Sequence, residues 1–378
     1  MTNNDDLLPE GLEDRLPREA KAAVRAMRDV LDTMDSHGYD RVSPPLVEFE
    51  KSLSGRMAGG NDGATARRMF RFVDPVSLRM LAVRSDITPQ IGRIAATGMA
   101  GAPRPLRLCY GGEVALIRAD QLDPARQRLQ LGAELIGKDT VAAAAEMVAL
   151  AIEALERAGA TGVSVDFTLP DLVDILAEKA MPLAPENITQ VRRELDTKDA
   201  GGLAQVPGGE AYMPLLYATG PFDYAIARLR DIDAANETGG GALASRITGL
   251  EQIAERVAGK ARITLDPTER HGFEYQSWFG FTIYADGVRG AVGRGGTYAI
   301  GGTKEPATGF SLYIDALVDA LETPPARDTL FLPLGHDRDV AARLRAIGWR
   351  TVEALSDDED GRALGCTHWL EGGEAVGL

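Results

Sequence analysis

Gln130 and Glu134 stand four residues apart in RLQLGAELIG, a run that alternates apolar with polar or small side chains. In an extended strand, successive side chains point to opposite faces. Leu129, Leu131, Ala133 and Leu135 then share one face, and Gln130, Gly132, Glu134 and Ile136 the other. An amide beside a carboxylate can floor a small-ligand site, because the carboxylate accepts from a cationic nitrogen and the amide both donates and accepts. The same spacing also describes a solvated sheet face, and the pair alone leaves both readings open. Asp86 raises a similar choice in VRSDITPQ: it can hold a ligand amine, or it can cap the helix that Thr88 and Pro89 begin.

These residues need elements to position them. Leu106 to Gly137 reads as two neighbouring strands joined by a long loop. RMFRFVDPVSLRMLAVRSDITPQIGR predicts a hairpin turning at Asp74-Pro75, a strand from Leu78 to Arg84, and a helix entered through Asp86 and Thr88. Upstream, Val24, Met27, Leu31 and Met34 recur at helical spacing over residues 17 to 37, and Gly38 can close that helix. GYDRVSPPLVEFE predicts a short strand around Arg41 to Ser43, broken by Pro44 and Pro45. The small residues from Ser54 to Thr65 predict a mobile loop.

Downstream, residues 140 to 158 form an alanine-rich helix with Val141, Val148, Ile152 and Leu155 inward, and VSVDF is a strand. Residues 170 to 260 read as mainly helical. Phe222, Ile226 and Leu229 mark one helix there; Leu243, Ile247, Leu250 and Val257 mark another. The glycine run at 239 to 241 separates them, while Gly201-Gly202 and Gly208-Gly209 read as turns without a phosphate loop's lysine. Strand character returns in ARITLD and in SWFGFTIYADGVRGAVGRGGTYAI, which carries a tight turn at Asp286-Gly287. Phe310, Ile314, Leu317 and Leu321 predict a further helix. Antiparallel strands with intervening helices make the expected fold class α+β.

A chain of 378 residues suggests two domains. The expected division is residues 1–322, with a helical insertion at about 170–260, and a small α/β appendage at 326–378 after the linker candidate Thr323-Pro324-Pro325. The appendage's His336 and His368 lack metal-ligand spacing and read as surface or locally bonded. With 41 Lys plus Arg against 56 Asp plus Glu, the formal charge of -15 repels phosphate polymers and argues against a broad nucleic-acid surface. Two cysteines suggest neither a disulfide framework nor a cysteine metal site. The acidic N-terminus lacks an apolar core, and no segment reads as membrane-spanning, so a cytoplasmic protein is expected.

In order and spacing, these segments resemble the class II histidyl-tRNA synthetase catalytic domain, and more closely its non-catalytic paralogue, the regulatory subunit of ATP phosphoribosyltransferase. LLPEGLEDRLPREA is similar to that family's N-terminal signature. GYDRVSPPLVEFE resembles its first class motif, which in the family packs at a dimer interface. MLAVRSDITPQIGR resembles the segment that contacts histidine, QLGAELIG closes the second motif, and GRGGTY together with the residues after Gly309 resembles the third. The resemblance spans about residues 6 to 322 and implies a class II aminoacyl-tRNA synthetase-like antiparallel sheet flanked by helices.

The departures from the synthetase pattern carry the function. Synthetases hold nucleotide phosphate with an arginine on the strand leaving Tyr110, where Leu116 aligns, and with one in the helix after Gly309, where Ala316 aligns. Losing two oriented cations removes stabilisation of the charge that develops during adenylation. Arg118, Arg126 and Arg128 stand nearby as substitutes with altered reach. The family's Arg-Gly-Leu-Asp-Tyr-Tyr hallmark is matched only loosely from His271, with Arg270 adjacent, and Glu274 and Tyr275 keep an acid and a phenol. The resemblance implies histidine-binding candidates at Asp86, Thr88, Gln127, Gln130, Glu134, His271, Glu274 and Tyr275, with Gly295, Gly296 and Tyr298 lining the same pocket.

By resemblance, the chain is a regulatory subunit without its own catalysis, cofactor or metal. It is expected to bind a short-form catalytic subunit that joins ATP to phosphoribosyl pyrophosphate, the first step of L-histidine biosynthesis. It would self-associate as a dimer within a hetero-octamer and help transmit feedback inhibition by L-histidine. No tRNA partner is expected. Two alternatives stay open at this point: a histidine-tRNA ligase, and a stand-alone histidine-binding protein.

Overall fold

The computed structural model describes residues 7–54, 69–118, 124–235, 241–270, 276–321 and 327–378. The chain divides into two compact units, Met1–Leu321 and Glu322–Leu378. The loop expected at 54 to 65 falls almost wholly outside the described residues, as do the linker Thr323-Pro324-Pro325 and Gly239 and Gly240 of the glycine run.

The strands of the first unit are β1 (Asp40–Arg41), β2 (Val47–Phe49), β3 (Arg71–Val73), β4 (Met80–Val83), β5 (Leu106–Ala115), β6 (Gln127–Ile136), β7 (Ser164–Thr168), β8 (Gly220–Pro221), β9 (Arg262–Leu265), β10 (Gln276–Tyr284), β11 (Gly293–Ala299) and β12 (Pro306–Tyr313). Nine of them form one sheet in the order β1-β5-β6-β12-β11-β10-β7-β9-β8, while β2, β4 and β3 form a small antiparallel sheet. The central run from β5 to β7 is antiparallel throughout. That continuity sets polar side chains from several strands side by side.

One sheet face is apolar and covered. Leu129, Leu131, Ala133 and Leu135 of β6 join Phe279, Phe281, Phe310 and Leu312 in a core shared with helices Pro17–Ser36 and Val141–Arg157. Val148, Ile152 and Leu155 are inward as expected, with alanines letting the helix backbone approach. Each Leu or Ile removed from water contributes about 1.5–3 kcal/mol. Thr140 caps this helix by accepting the Ala143 amide at 3.3 Å. The opposite face is covered in part by helix Thr88–Ala96, where Ile87, Ile91 and Ala95 pack on Leu108, Tyr110 and Ile136.

Four sequence expectations change. Val24 is 50% exposed, because the buried stripe of its helix runs through Ala23, Ala26, Val30, Leu31 and Met34. Gly38 does close that helix, at φ +79°. The helix expected from Phe310 is a strand up to Tyr313, hydrogen-bonded to β6 on one side and β11 on the other, and only Asp315–Ala320 is helical. Gly201-Gly202 lies inside helix Ala200–Gln205, whose start Asp199 caps by accepting the Gly202 amide at 2.8 Å. A turn does form at Asp286-Gly287, where the Val288 amide donates to the Ala285 carbonyl at 3.3 Å, but it sits inside a longer connection, residues 285–292, between β10 and β11, with Gly287 and Gly290 at φ +73° and +79°.

The helical reading of the insertion agrees with helices Phe222–Ala235 and Ala244–Arg256. Within the insertion, Arg246 pairs at 2.6 Å with Asp171, the residue that precedes helix Leu172–Lys179. The second unit holds β13 (Thr329–Leu332), β14 (Arg350–Glu353), β15 (His368–Glu371) and β16 (Glu374–Gly377), with helix Arg338–Ala346 between β13 and β14. Its His336 ring pairs with the Pro333 carbonyl at 3.0 Å, and His368 with the Thr367 hydroxyl at 2.8 Å, so both are locally bonded. Among the described residues, no helix is long and apolar enough to cross a membrane.

Candidate functional site

The period-two pattern of β6 places Gln130 and Glu134 on the same face, and neither is solvated: they are 0% and 1% exposed. A buried polar group is costly unless hydrogen-bonded, and both are bonded. The Gln130 carbonyl accepts the Ile87 amide at 2.9 Å, and its NH2 donates to Asp86 Oδ1 and Ser311 Oγ, each at 2.8 Å. Glu134 accepts from Tyr298 Oη at 2.7 Å and more weakly from Tyr110 Oη at 3.4 Å. The solvated-face reading therefore gives way to a built polar floor.

The junction before helix Thr88–Ala96 supplies the wall. Asp86 Oδ1 accepts the Thr88 amide at 2.9 Å, so it satisfies an early helix donor while also holding Gln130. Thr88 Oγ1 pairs with Tyr110 Oη at 3.1 Å, and Tyr110 Oη with Ser311 Oγ at 3.0 Å. The resulting cleft holds about 300 Å³ of empty space, part of it open to solvent, and is lined by Thr88, Glu134, Gln276, Arg294, Gly295, Gly296, Tyr298, Gly309, Phe310 and Ser311.

Asp86, Thr88, Gln130 and Glu134 thus come together, joined by Gly295, Gly296 and Tyr298. Gln127 does not join them. It has the strand parity of Leu129, is exposed, and reaches Glu113 Oε2 at 3.4 Å. His271, Glu274 and Tyr275 lie outside the described residues. Sequence reasoning missed Tyr110, Ser311, Gln276 and Arg294 as site residues. Alternation within β12 would have paired Ser311 with Gly309 on one face, had that segment been read as a strand.

Electrostatics favour a cationic guest. Burial, and the nearby Asp86 charge, push the Glu134 carboxyl up to about 8, against the lowering effect of the Tyr298 hydroxyl. An ammonium or imidazolium nitrogen entering this cavity meets a carboxyl that gains from ionising beside it. Burial also holds the Tyr110 phenol well above its ordinary value, so it remains a neutral donor. Among the described residues, no cluster of His, Cys, Asp and Glu has the makings of a metal site.

Gly309 makes the cavity possible. It sits directly opposite Glu134 on β6 and opposite Gly296 on β11, and a Cβ there would overlap Glu134 Oε2. Gly309→Ala is expected to displace the carboxyl and lower stability by about 1–3 kcal/mol, read as a shifted urea midpoint. An unchanged midpoint would mean that Glu134 does not occupy this space.

The positions that align with the two synthetase arginines are built differently. Leu116 follows β5, where its amide donates to the Arg126 carbonyl at 2.7 Å. Arg126 is occupied by the Leu116 and Glu10 carbonyls at 3.2 and 3.0 Å, and Arg118 is exposed. Arg128 stands over the Tyr313 ring at 5.9 Å. Ala316 is next to Asp315, whose carboxylate accepts the Leu129 amide and pairs with Arg15. A carboxylate therefore stands beside a position where a phosphate-binding site needs positive charge.

Comparison with known proteins fits this geometry. The histidyl-tRNA synthetase family profile matches residues 11–317. A crystal structure from Bacillus halodurans, described as an ATP phosphoribosyltransferase regulatory subunit/histidyl-tRNA synthetase, superposes with a TM-score of 0.79 at 25% identity, covering 97% of each chain. Histidyl-tRNA synthetase from Nostoc sp. shares the fold, with a TM-score of 0.76 at 16% identity, over 96% of this chain and 90% of that one. Fold and site together define a class II, histidyl-tRNA synthetase-like protein: an α+β sheet flanked by helices, with a small C-terminal α/β region.

Sequence relatives narrow the class. The ATP phosphoribosyltransferase regulatory subunit of Rhodospirillum centenum is 42% identical over 97% of this chain and 95% of its own length. That of Paramagnetospirillum magneticum is 39% identical over 97% and 96%. The chain belongs to the ATP phosphoribosyltransferase regulatory subunit family.

Proposed function

We propose that this chain is the non-catalytic regulatory subunit of a short-form ATP phosphoribosyltransferase in L-histidine biosynthesis, and that it senses L-histidine through the pocket over β6, β11 and β12. The observation that carries this reading is the divided site. Its amino-acid half is a closed hydrogen-bond network around Gln130 and Glu134, while its nucleotide half has Leu116 and Ala316 in place of two cations. Near full-length kinship with regulatory subunits supports the same assignment.

In this reading the catalytic subunit transfers the phosphoribosyl group, and this chain shifts the complex between active and inhibited arrangements by differential binding. The assembly is a hetero-octamer built on a dimer of this chain, located in the cytoplasm, with no tRNA bound. The chain's -15 charge supports the last point.

Reconstitution tests it. The purified chain mixed with its cognate catalytic subunit is expected to raise consumption of ATP and phosphoribosyl pyrophosphate at least tenfold over the catalytic subunit alone, with histidine reversing the gain. Failure to bind or activate that subunit sinks the proposal. Histidine binding with no such association points instead to a stand-alone histidine-binding protein.

A further inference from the structure

The polar floor does not end at Glu134. Directly opposite one another across four strands stand Ser311 on β12, Arg294 on β11, Thr282 on β10 and Asp166 on β7, with Gly132 of β6 at the near end. Residues opposite each other in a sheet project from the same face, about 5 Å apart. This register sets one guanidinium on the floor, next to the serine that holds Gln130.

Arg294 is half-buried and lines two cavities at once. One is the pocket that contains Thr88 and Glu134. The other, a smaller cleft also partly open to solvent, is bounded by Thr168, Glu269, Arg270, Gln276, Phe281 and Thr282. Gln276 is shared too, its NH2 fixed on the Gly295 carbonyl at 2.9 Å. The pocket therefore has a polarity: the acid Glu134 toward β6, with Asp86 held nearby on Gln130, and a cation toward β10. A free α-amino acid carries the complementary pair, ammonium and carboxylate, on one carbon.

We infer that Arg294 receives the carboxylate of the bound amino acid, making the pocket selective for ligands with a free carboxylate. The inference rests on the amino-acid reading of the pocket given above. A guanidinium has five donors in a planar fork, so it can serve the Glu269 side of its second cavity and still present an N–H pair to a ligand. The position matters because the arginine of the family's hallmark aligns here with His271, earlier in the chain. Among the described residues, the cation lining this pocket comes from β11.

Calorimetry on the full chain tests this with two probes, L-histidine and L-histidinol, in which a hydroxymethyl group replaces the carboxylate. Wild type is expected to bind histidine roughly 10- to 100-fold more tightly than histidinol, the range for a charged hydrogen-bonded contact. Arg294→Met is expected to bring histidine down to the histidinol level while histidinol affinity stays within about twofold, and Arg294→Lys to recover part of the difference. Full discrimination retained in Arg294→Met overturns the assignment and leaves the histidine pocket standing. Equal affinity of wild type for both probes overturns it without any variant, so a poorly folding Arg294→Met does not decide the matter. Wild type binding neither probe removes the underlying reading as well.

Discussion

Glu134→Gln is expected to abolish most histidine binding and, in the empty protein, to become more stabilising as pH rises. The second effect follows from burial. Glu134 is 1% exposed and its carboxyl is pushed up to about 8, against about 4.5 for an unburied glutamate. A carboxyl whose value is raised on folding favours the folded state fully below its unfolded value, and that advantage is lost as pH climbs through 8. The ionisable side chain then costs about 1 kcal/mol at pH 5 and about 3 kcal/mol at pH 7, neither of which glutamine bears. Glutamine can still accept from Tyr298. The stability gap between variant and wild type is expected to widen by about 2 kcal/mol from pH 5 to pH 7, read from urea melts at the two values.

Binding runs the other way. A ligand cation pairs with the ionised form of Glu134, so histidine entry releases the proton that the empty pocket holds at neutral pH. Affinity is expected to fall about fivefold between pH 8 and pH 7, as the ionised fraction drops from about one half to about one tenth. The groups facing Glu134 are Asp86, Tyr110 and Tyr298; burial keeps the Tyr110 phenol a neutral donor in this window. Without the carboxylate, the charge-assisted contact worth about 1.5–3 kcal/mol disappears. Glu134→Gln should then bind histidine roughly 10- to 100-fold more weakly. Equal calorimetric affinity in variant and wild type would reject Glu134 as a histidine contact.

Which parts of this site were legible in the sequence depended on the range of the interaction. The shared face of Gln130 and Glu134 is local, set by the strand's period of two, and it needs only the neighbouring residues to be read. Their burial is not local. It depends on Tyr110, Tyr298 and Ser311, which arrive from other strands and convert an apparently exposed pair into a closed network. Gln127 illustrates the reverse error: its polarity suggested the pocket, while its odd position on the same strand sends it to the other face. Phe310, Ile314, Leu317 and Leu321 fit a helical period, yet hydrogen bonds on both flanks hold Phe310 in a strand. Sheet pairing overrode local spacing there, and it also hid Ser311 and the row that contains Arg294.

Histidine-dependent ATP–pyrophosphate exchange by the purified chain is expected to stay at background. Adenylation places growing negative charge on phosphoryl oxygens, and each oriented donor lost from such a site costs about 10²- to 10³-fold in rate. Two absent cations at Leu116 and Ala316 together predict a deficit of about 10⁴- to 10⁶-fold relative to an active synthetase. Of the neighbouring arginines, Arg126 is bound to two backbone carbonyls and lies 5.0 Å from the Phe70 ring centre, Arg128 stands over the Tyr313 ring, and Arg118 is exposed. Asp315, beside Ala316, places a carboxylate rather than a cation there, held by the Leu129 amide and paired with Arg15. Exchange within about 100-fold of an active synthetase would show that this arrangement handles ATP after all. Background exchange together with pH-dependent histidine binding would separate the two halves of the site by chemistry: a retained amino-acid floor on β6, β11 and β12, and a nucleotide side refitted with apolar and acidic residues.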